Sequence, residues 1–175
     1  SVLRIAGGNI LEFGINDGMS FNCAIRSSNL VIHNQWNFVV ATYDGHTGAV
    51  YLNGSLEATK TCIGTLLNSN EPLIIGQEAP NLPRPFEGVI SSVSVYNSTL
   101  SSQQISDLYT RQIDPMGISS LVSFWTLDDG FGLSVLDEKG TNDGLNYGAT
   151  WVNTCPEEDA DGDGYAAWED CDDTD

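Results

Sequence analysis

The stretch WNFVVATYDG, residues 36–45, followed by VYLNG at 50–54, decides how this chain is read. WNFVVATY at 36–43 is the longest strand candidate, rich in β-branched and aromatic residues, and Asp44-Gly45 with Gly48 turns the chain. AVYLNGSLEA then supplies two short strands around Asn53-Gly54. That pair predicts a type I′ turn, because both of its central residues need positive φ. A hairpin follows, and the surrounding sequence repeats its character.

Upstream, ILEFGI at 10–15 and MSFNCAI at 19–25 flank Asn16-Asp17-Gly18, a second hairpin signal. Downstream, LIIG at 73–76 predicts a strand and Pro80 to Pro85 a loop. FEGVISSVSVY at 86–96 alternates apolar and small polar residues. One helix is predicted in SSQQISDLY, where Ser101 and Gln104 make a capping box and Ile105 and Leu108 share an apolar face. Strand character resumes at SLVSFWTL, after DPMG at 114–117. Residues 128–150 are dominated by Asp, Gly and Asn turns, ending in GATWV. Short strands with glycine-rich links predict an all-β fold of two antiparallel sheets packed face to face. Trp36, Phe38, Val40, Phe124 and Trp125 are expected in the core or at sheet edges.

The chain has 175 residues and a formal net charge of −18, from 24 acidic and 6 basic residues. Ten of those acidic residues lie between Glu157 and Asp175. Such a field repels nucleic acid and anionic membranes and favours cations. No apolar run approaches the ~18 residues that a transmembrane helix needs. The stretch SVLRIAGGN has no signal-peptide pattern, so secretion implies a leader outside this sequence. The acidic balance, the many glycines and the scarcity of lysine point to a secreted or cell-surface setting. There the four cysteines are expected as disulfides, and they allow three complete pairings. Sequence distance favours Cys155 with Cys171, leaving Cys23 with Cys62.

Residues Trp36 to Gly45, then Val50-Tyr51-Leu52-Asn53-Gly54, resemble the central hairpin of laminin-G-like domains of the concanavalin A-like superfamily. Leu73 to Gly76 resembles their next strand. Phe86 to Ile90, then Val93, Val95-Tyr96-Asn97 and Leu100-Ser101, resemble the closing strand and short helix. The resemblance covers about residues 1–110 and implies a jelly-roll-like sandwich used in sugar binding, adhesion or spacing. Leu121 to Asp128, with Gly130, Asp137, Gly140, Gly144 and Gly148 to Trp151, resembles the beginning of such a domain, yet stands after its end. Three accounts fit: residues 121–152 complete their own sandwich, complete a neighbouring copy by strand donation, or open a second domain. Residues 1–152 are accordingly assigned to the sandwich and 153–175 to an acidic connector.

In that connector, Asp159, Asp161, Asp163, Tyr165 and Asp170 occupy positions 1, 3, 5, 7 and 12 of a calcium loop, with Gly164 at position 6. Three carboxylates, the Tyr165 carbonyl and Asp170 would supply hard oxygen ligands to Ca2+. Cys171-Asp172-Asp173 and Asp175 follow. The whole stretch resembles the aspartate-rich repeats of thrombospondin type 3, which implies that Asp172, Asp173 and Asp175 also serve calcium. Oxygen ligands disfavour zinc.

Asn53-Gly54-Ser55 and Asn97-Ser98-Thr99 are glycosylation acceptors by pattern. No catalytic role is expected: Glu12, Glu57 and Glu87 are scattered, and paired carboxylates must stand ~5–9 Å apart to share one glycosidic bond. His33 and His46 are expected in loops. Two functions remain. One is an extracellular structural or adhesive module, stabilised by calcium and disulfides and capable of filament formation by self-association. The alternative is a carbohydrate-binding module, for which Tyr147, Trp151 and Trp168 are the candidate aromatics and a glycan or matrix component the partner.

Overall fold

The computed structural model describes residues 1–15, 23–62, 72–79 and 82–152. Six strands come first: β1 (Val2–Ala6), β2 (Ile10–Ile15), β3 (Cys23–Leu30), β4 (Val39–Tyr43), β5 (Thr47–Leu52) and β6 (Ser55–Thr61). They form two three-stranded antiparallel sheets, β1-β2-β3 and β4-β5-β6. Period-2 alternation explains how the sheets meet. Leu11 and Ile15 on β2 and Ile25 on β3 pack against Val50 and Leu52 on β5, making the first core. Gly48 on β5 faces the other sheet; a Cβ there would collide with the Ile25 side chain. Asn53 (φ 49°) and Gly54 (φ 76°) form the positive-φ turn expected between β5 and β6.

A disulfide joins Cys23 to Cys62, and both are buried in this first core. It ties the start of β3 to the residue after β6, clamping one sheet to the other. On the opposite face of β2, Glu12 is buried between Arg4 and Arg26, which are its cross-strand neighbours in register. Burial opposes its charge, but hydrogen bonds from Arg26 and then Arg4 outweigh that and hold the carboxyl below its usual range.

Two short strands, β7 (Gln77–Ala79) and β8 (Leu82–Pro85), pair antiparallel, followed by β9 (Val93–Tyr96) and helix α1 (Ser102–Tyr109). Ser101 caps α1 by accepting from the Gln104 N–H while the Gln104 side chain accepts from the Ser101 N–H. The helix lies on the outer face of β4-β5-β6. Leu100, Ile105 and Ile118 meet Ala49 and Tyr51 there in a second core, joined by Phe38, Val40 and Tyr96. Strand β5 is therefore buried on both faces, sheet on one side and helix on the other.

A 3-10 turn at Pro115–Gly117 leads into β10 (Leu121–Trp125), which pairs antiparallel with β9 of the same chain. This pair is a two-stranded sheet of its own beside the two three-stranded sheets. Donating β10 to a neighbour would require this pairing to open. Strands β11 (Ser134–Val135) and β12 (Gly144–Leu145) form a last short ribbon. The described residues thus make an all-β, two-sheet antiparallel, jelly-roll-like sandwich with one short helix. No helix among them is long and apolar enough to cross a membrane.

Three expectations need correction. LIIG at 73–76 is not a strand: Gly76 adopts φ 81°, and pairing starts only at Gln77, just before the segment expected as a loop, whose second half, Leu82–Pro85, is the partner strand. Prolines there are compatible with a two-stranded ribbon whose outer edges need no ladder donor. Trp36 is neither in the core nor in a strand: it is 55% exposed and precedes β4, whereas Phe38, two residues later, packs against the second core. β1 has no counterpart in the sequence reading, since three of its five residues are only half-buried and none is fully buried.

Candidate functional site

After β10 the chain turns at Leu127, whose φ of 57° is unusual for a residue with a Cβ. It then builds a ledge, residues 128–152, on an aspartate. The Asp137 carboxylate is buried and accepts backbone N–H bonds from Phe124 (2.9 Å), Lys139 (3.1 Å) and Asn142 (3.1 Å). Asn142 donates in turn to the Ser123 hydroxyl, and its carbonyl accepts the Trp125 indole N–H at 3.0 Å. Gly140 closes the loop so tightly that a Cβ would stand 2.7 Å from an Asp137 oxygen and 2.9 Å from the Val122 carbonyl. Burial alone would raise the Asp137 pKa. The N–H groups of Phe124 and Gly140, the Ser123 side chain and the Asn142 N–H outweigh burial and hold it far below the usual carboxylate range.

Farther out, Asn146 fixes a second loop. Its side-chain oxygen accepts from the N–H groups of Gly148 (3.0 Å) and Ala149 (2.8 Å), and its amide donates to the Ala149 carbonyl. Tyr147 sits at the tip of this loop with its side chain 91% exposed; Phe131 is 84% exposed. Leu133, Leu136 and Leu145 are also exposed on the ledge. The Trp151 indole N–H donates to the Gly132 carbonyl at 3.2 Å, bracing the end of the ledge against the stretch that carries Phe131. Hydrogen-bonded backbone thus presents aromatic side chains that contribute nothing to the core.

A second concavity opens beside α1. Its volume is about 540 Å³, with Gln104 and Asp107 of the helix on one wall and Asp114, Ser119 and Gly117 on the other. Ile113 and Ile118 supply its apolar lining. Asp107 uses one oxygen to accept from the Gln103 side chain at 2.7 Å, and Asp114 uses one to accept from the Met116 N–H at 2.6 Å. Tyr96, which packs in the same cluster as Ile113 and Ile118, buries its hydroxyl without a hydrogen-bond partner. Ser94 stands near that hydroxyl outside hydrogen-bond geometry; burial raises the phenol pKa, and the Asp114 charge adds to the rise.

Of the residues singled out from sequence, Tyr147 and Trp151 come together on the ledge, one as a free ring and one as a strut. Trp168 lies outside the described residues. So do the calcium candidates Asp159, Asp161, Asp163, Tyr165, Asp170, Asp172, Asp173 and Asp175, and the pair Cys155 and Cys171. Among the described residues no group of three or more His, Cys, Asp or Glu is placed to hold a metal. Asn97 is exposed, whereas Asn53 is half-buried with its side-chain oxygen accepting the Phe38 N–H. Glu12 is taken up by its two arginines, and Glu57 accepts from the backbone of Ser28 and Asn29 and from the Asn29 side chain. Glu87, His33 and His46 are exposed. Sequence reasoning missed Phe131 and the cleft. The capping box was the signal for the cleft, since it places Gln104 and Asp107 on successive turns of one helix.

The same fold occurs in a crystal structure from Bacteroides ovatus, of a protein named as a candidate carbohydrate-binding protein. The two are 23% identical over 80% of this chain, with a TM-score of 0.62. This chain spans 40% of that protein's length. An S-layer domain-containing protein from Clostridium thermocellum matches at 20% identity over 57% of this chain and 51% of its own, with a TM-score of 0.43. Comparison with curated proteins finds no match. The family profile described as the Concanavalin A-like lectin/glucanases superfamily matches residues 2–106, and the chain belongs to that superfamily.

Proposed function

We propose that the chain is a carbohydrate-binding module of a secreted or cell-surface protein, and that it grips glycans with the ledge. One observation carries the reading: Tyr147 and Phe131 are 91% and 84% exposed, Tyr147 on a loop fixed by Asn146 and Phe131 beside Gly132 and Leu133, whose carbonyls accept from Trp151 and Asn146. The C–H face of a pyranose is apolar and lies flat on an aromatic ring, while its hydroxyls stay in water or meet nearby amides and carboxylates. A loop backbone already held in position loses little freedom on binding. Membership in a superfamily that includes lectins supports the reading, as does the name of the Bacteroides protein. The net charge of −18 favours neutral over anionic glycans.

The module acts by binding, with no catalytic step of its own. Calcium keeps its proposed place in the acidic segment at Asp159, Asp161, Asp163, Tyr165 and Asp170; calorimetry with Asp161→Ala should show that binding weakened. An open surface of two rings should bind with a Kd of roughly 0.1–1 mM, or about −4 to −5.5 kcal/mol. A panel of neutral polysaccharides run by affinity electrophoresis tests this. Retardation that disappears in Tyr147→Ala and Phe131→Ala is the expected result. Retardation unchanged in both variants would remove the ledge from the reading.

A further inference from the structure

We propose that the cleft between α1 and the turn at 113–119 is a second, separate subsite, taking a single neutral hexopyranose unit at the end of a glycan. The inference rests on the carbohydrate reading for its ligand class alone; the cleft and the ledge share no residue. Its volume of about 540 Å³ lies within the ~300–1,000 Å³ typical of small-molecule sites. Its lining has the composition that a sugar needs. Asp107 and Asp114 each commit one oxygen within the chain and turn an acceptor-rich group to the cleft, where ligand hydroxyls are the donors. Ser119 and the Gln104 amide add groups that can donate to ring or glycosidic oxygens. Ile113 and Ile118 offer the apolar contact for the C–H face.

Charge sets the selectivity of the cleft. No lysine or arginine lines the cleft, so a uronate would meet Asp107 and Asp114 without a counter-ion. The ledge reads the faces of a chain, whereas the cleft reads one terminal residue.

Saturation-transfer NMR and calorimetry on the intact chain, with methyl α- and β-glycosides of neutral hexoses and the matching uronic acids, test the assignment. At least one neutral glycoside should bind, with the uronate of the same sugar at least tenfold weaker. Gly117→Trp should abolish that binding, since nothing stands within 4 Å of a Cβ at Gly117 and the indole can fill the cleft. Asp107→Leu should weaken it at least tenfold. Tyr147→Ala should leave it unchanged, and thermal melts establish that each variant is folded. No binding of any neutral glycoside by a chain whose ledge still retards polysaccharide would overturn the cleft and spare the ledge. Glycoside binding untouched by Gly117→Trp and Asp107→Leu would also overturn the cleft. Equal binding of the uronate would overturn the assigned ligand class. Failure of every glycan, polymer and monomer alike, would bring down both readings.

Discussion

The six-stranded sandwich and the ledge at 128–152 solve one difficulty in opposite ways: each must fix a backbone in space. In the sandwich, the fully buried groups are Leu11, Ile25 and Val50, and a disulfide crosses between the sheets. In the ledge the buried groups include Asp137 and, beneath it, Ser123, while Phe131, Leu133, Leu145 and Tyr147 face outward. Apolar burial holds the first, and a carboxylate collecting backbone N–H groups holds the second. Because folding leaves Phe131, Leu133, Leu145 and Tyr147 exposed, these side chains are available for contact. Substitutions in the two regions should therefore separate stability from binding.

The largest loss should follow from removing the Cys23–Cys62 bond. The two cysteines are 39 residues apart, and loop-closure arithmetic assigns such a link roughly 4 kcal/mol. Denaturant melts of the Cys23→Ala, Cys62→Ala double variant should show that loss, with the midpoint lowered. A midpoint within error of the parent would mean that the sheets hold together without the clamp.

Leu11→Ala comes next. Leu11 is buried against Ile15, Ile25 and Val50 in the first core, and such truncations cost about 2–5 kcal/mol. Carbohydrate binding at the ledge should survive in the fraction that stays folded. Calorimetry below the melting transition would check this, and loss of binding there would couple the two regions.

Asp137→Ala should cost roughly 1–3 kcal/mol through the N–H groups it leaves unpaired, and unlike Leu11→Ala it should act locally. Trp125, whose indole is held by the Asn142 carbonyl, should change its near-ultraviolet circular dichroism. The pH dependence follows from the depressed pKa. A carboxyl with a folded pKa below its unfolded value stabilises fully above the unfolded value, about 4, and loses that contribution as pH falls through the folded one. The parent ledge should therefore keep its Trp125 signal through pH 4 and give it up only in much stronger acid. Glu12, also depressed, should weaken the sandwich in the same direction.

Much of the sandwich was legible because its signals are local. Asn53-Gly54 announces the β5–β6 turn by needing two positive φ values, and the capping box announces α1. The spacing of the cysteines favoured the bond that forms. Where pairing depends on distant partners, the signal fades. LIIG has strand propensity but ends at a positive-φ glycine, so the ladder forms one residue later. The site was only half legible. Tyr147 and Trp151 were identifiable as aromatics in a turn-rich segment, but which ring is free depends on the Gly132 carbonyl, nineteen residues away from Trp151. Asp137 was visible only as part of a resemblance, since its role depends on N–H groups from both a strand and its own loop. Phe131 had no sequence signal at all.

The smallest effect on stability should come from the largest exposed side chains, which is the sharpest test of the contrast. A ring that is 91% or 84% exposed has almost no area removed from water by folding, so truncating it forfeits almost no hydrophobic stabilisation. Tyr147→Ala and Phe131→Ala should each shift the unfolding free energy by less than about 0.5 kcal/mol. Tyr147 can be replaced without moving its loop, because Asn146 holds that loop through the backbone of Gly148 and Ala149. The companion change Asn146→Ala should do the reverse, keeping both rings but releasing the loop that positions one of them. It should weaken glycan retardation through lost preorganisation while Tyr147 is still present. If instead Tyr147→Ala destabilised the chain by 2 kcal/mol or more (about the size of a core truncation), the ring would have a folded partner. The ledge would then be an extension of the core rather than a surface held out from it.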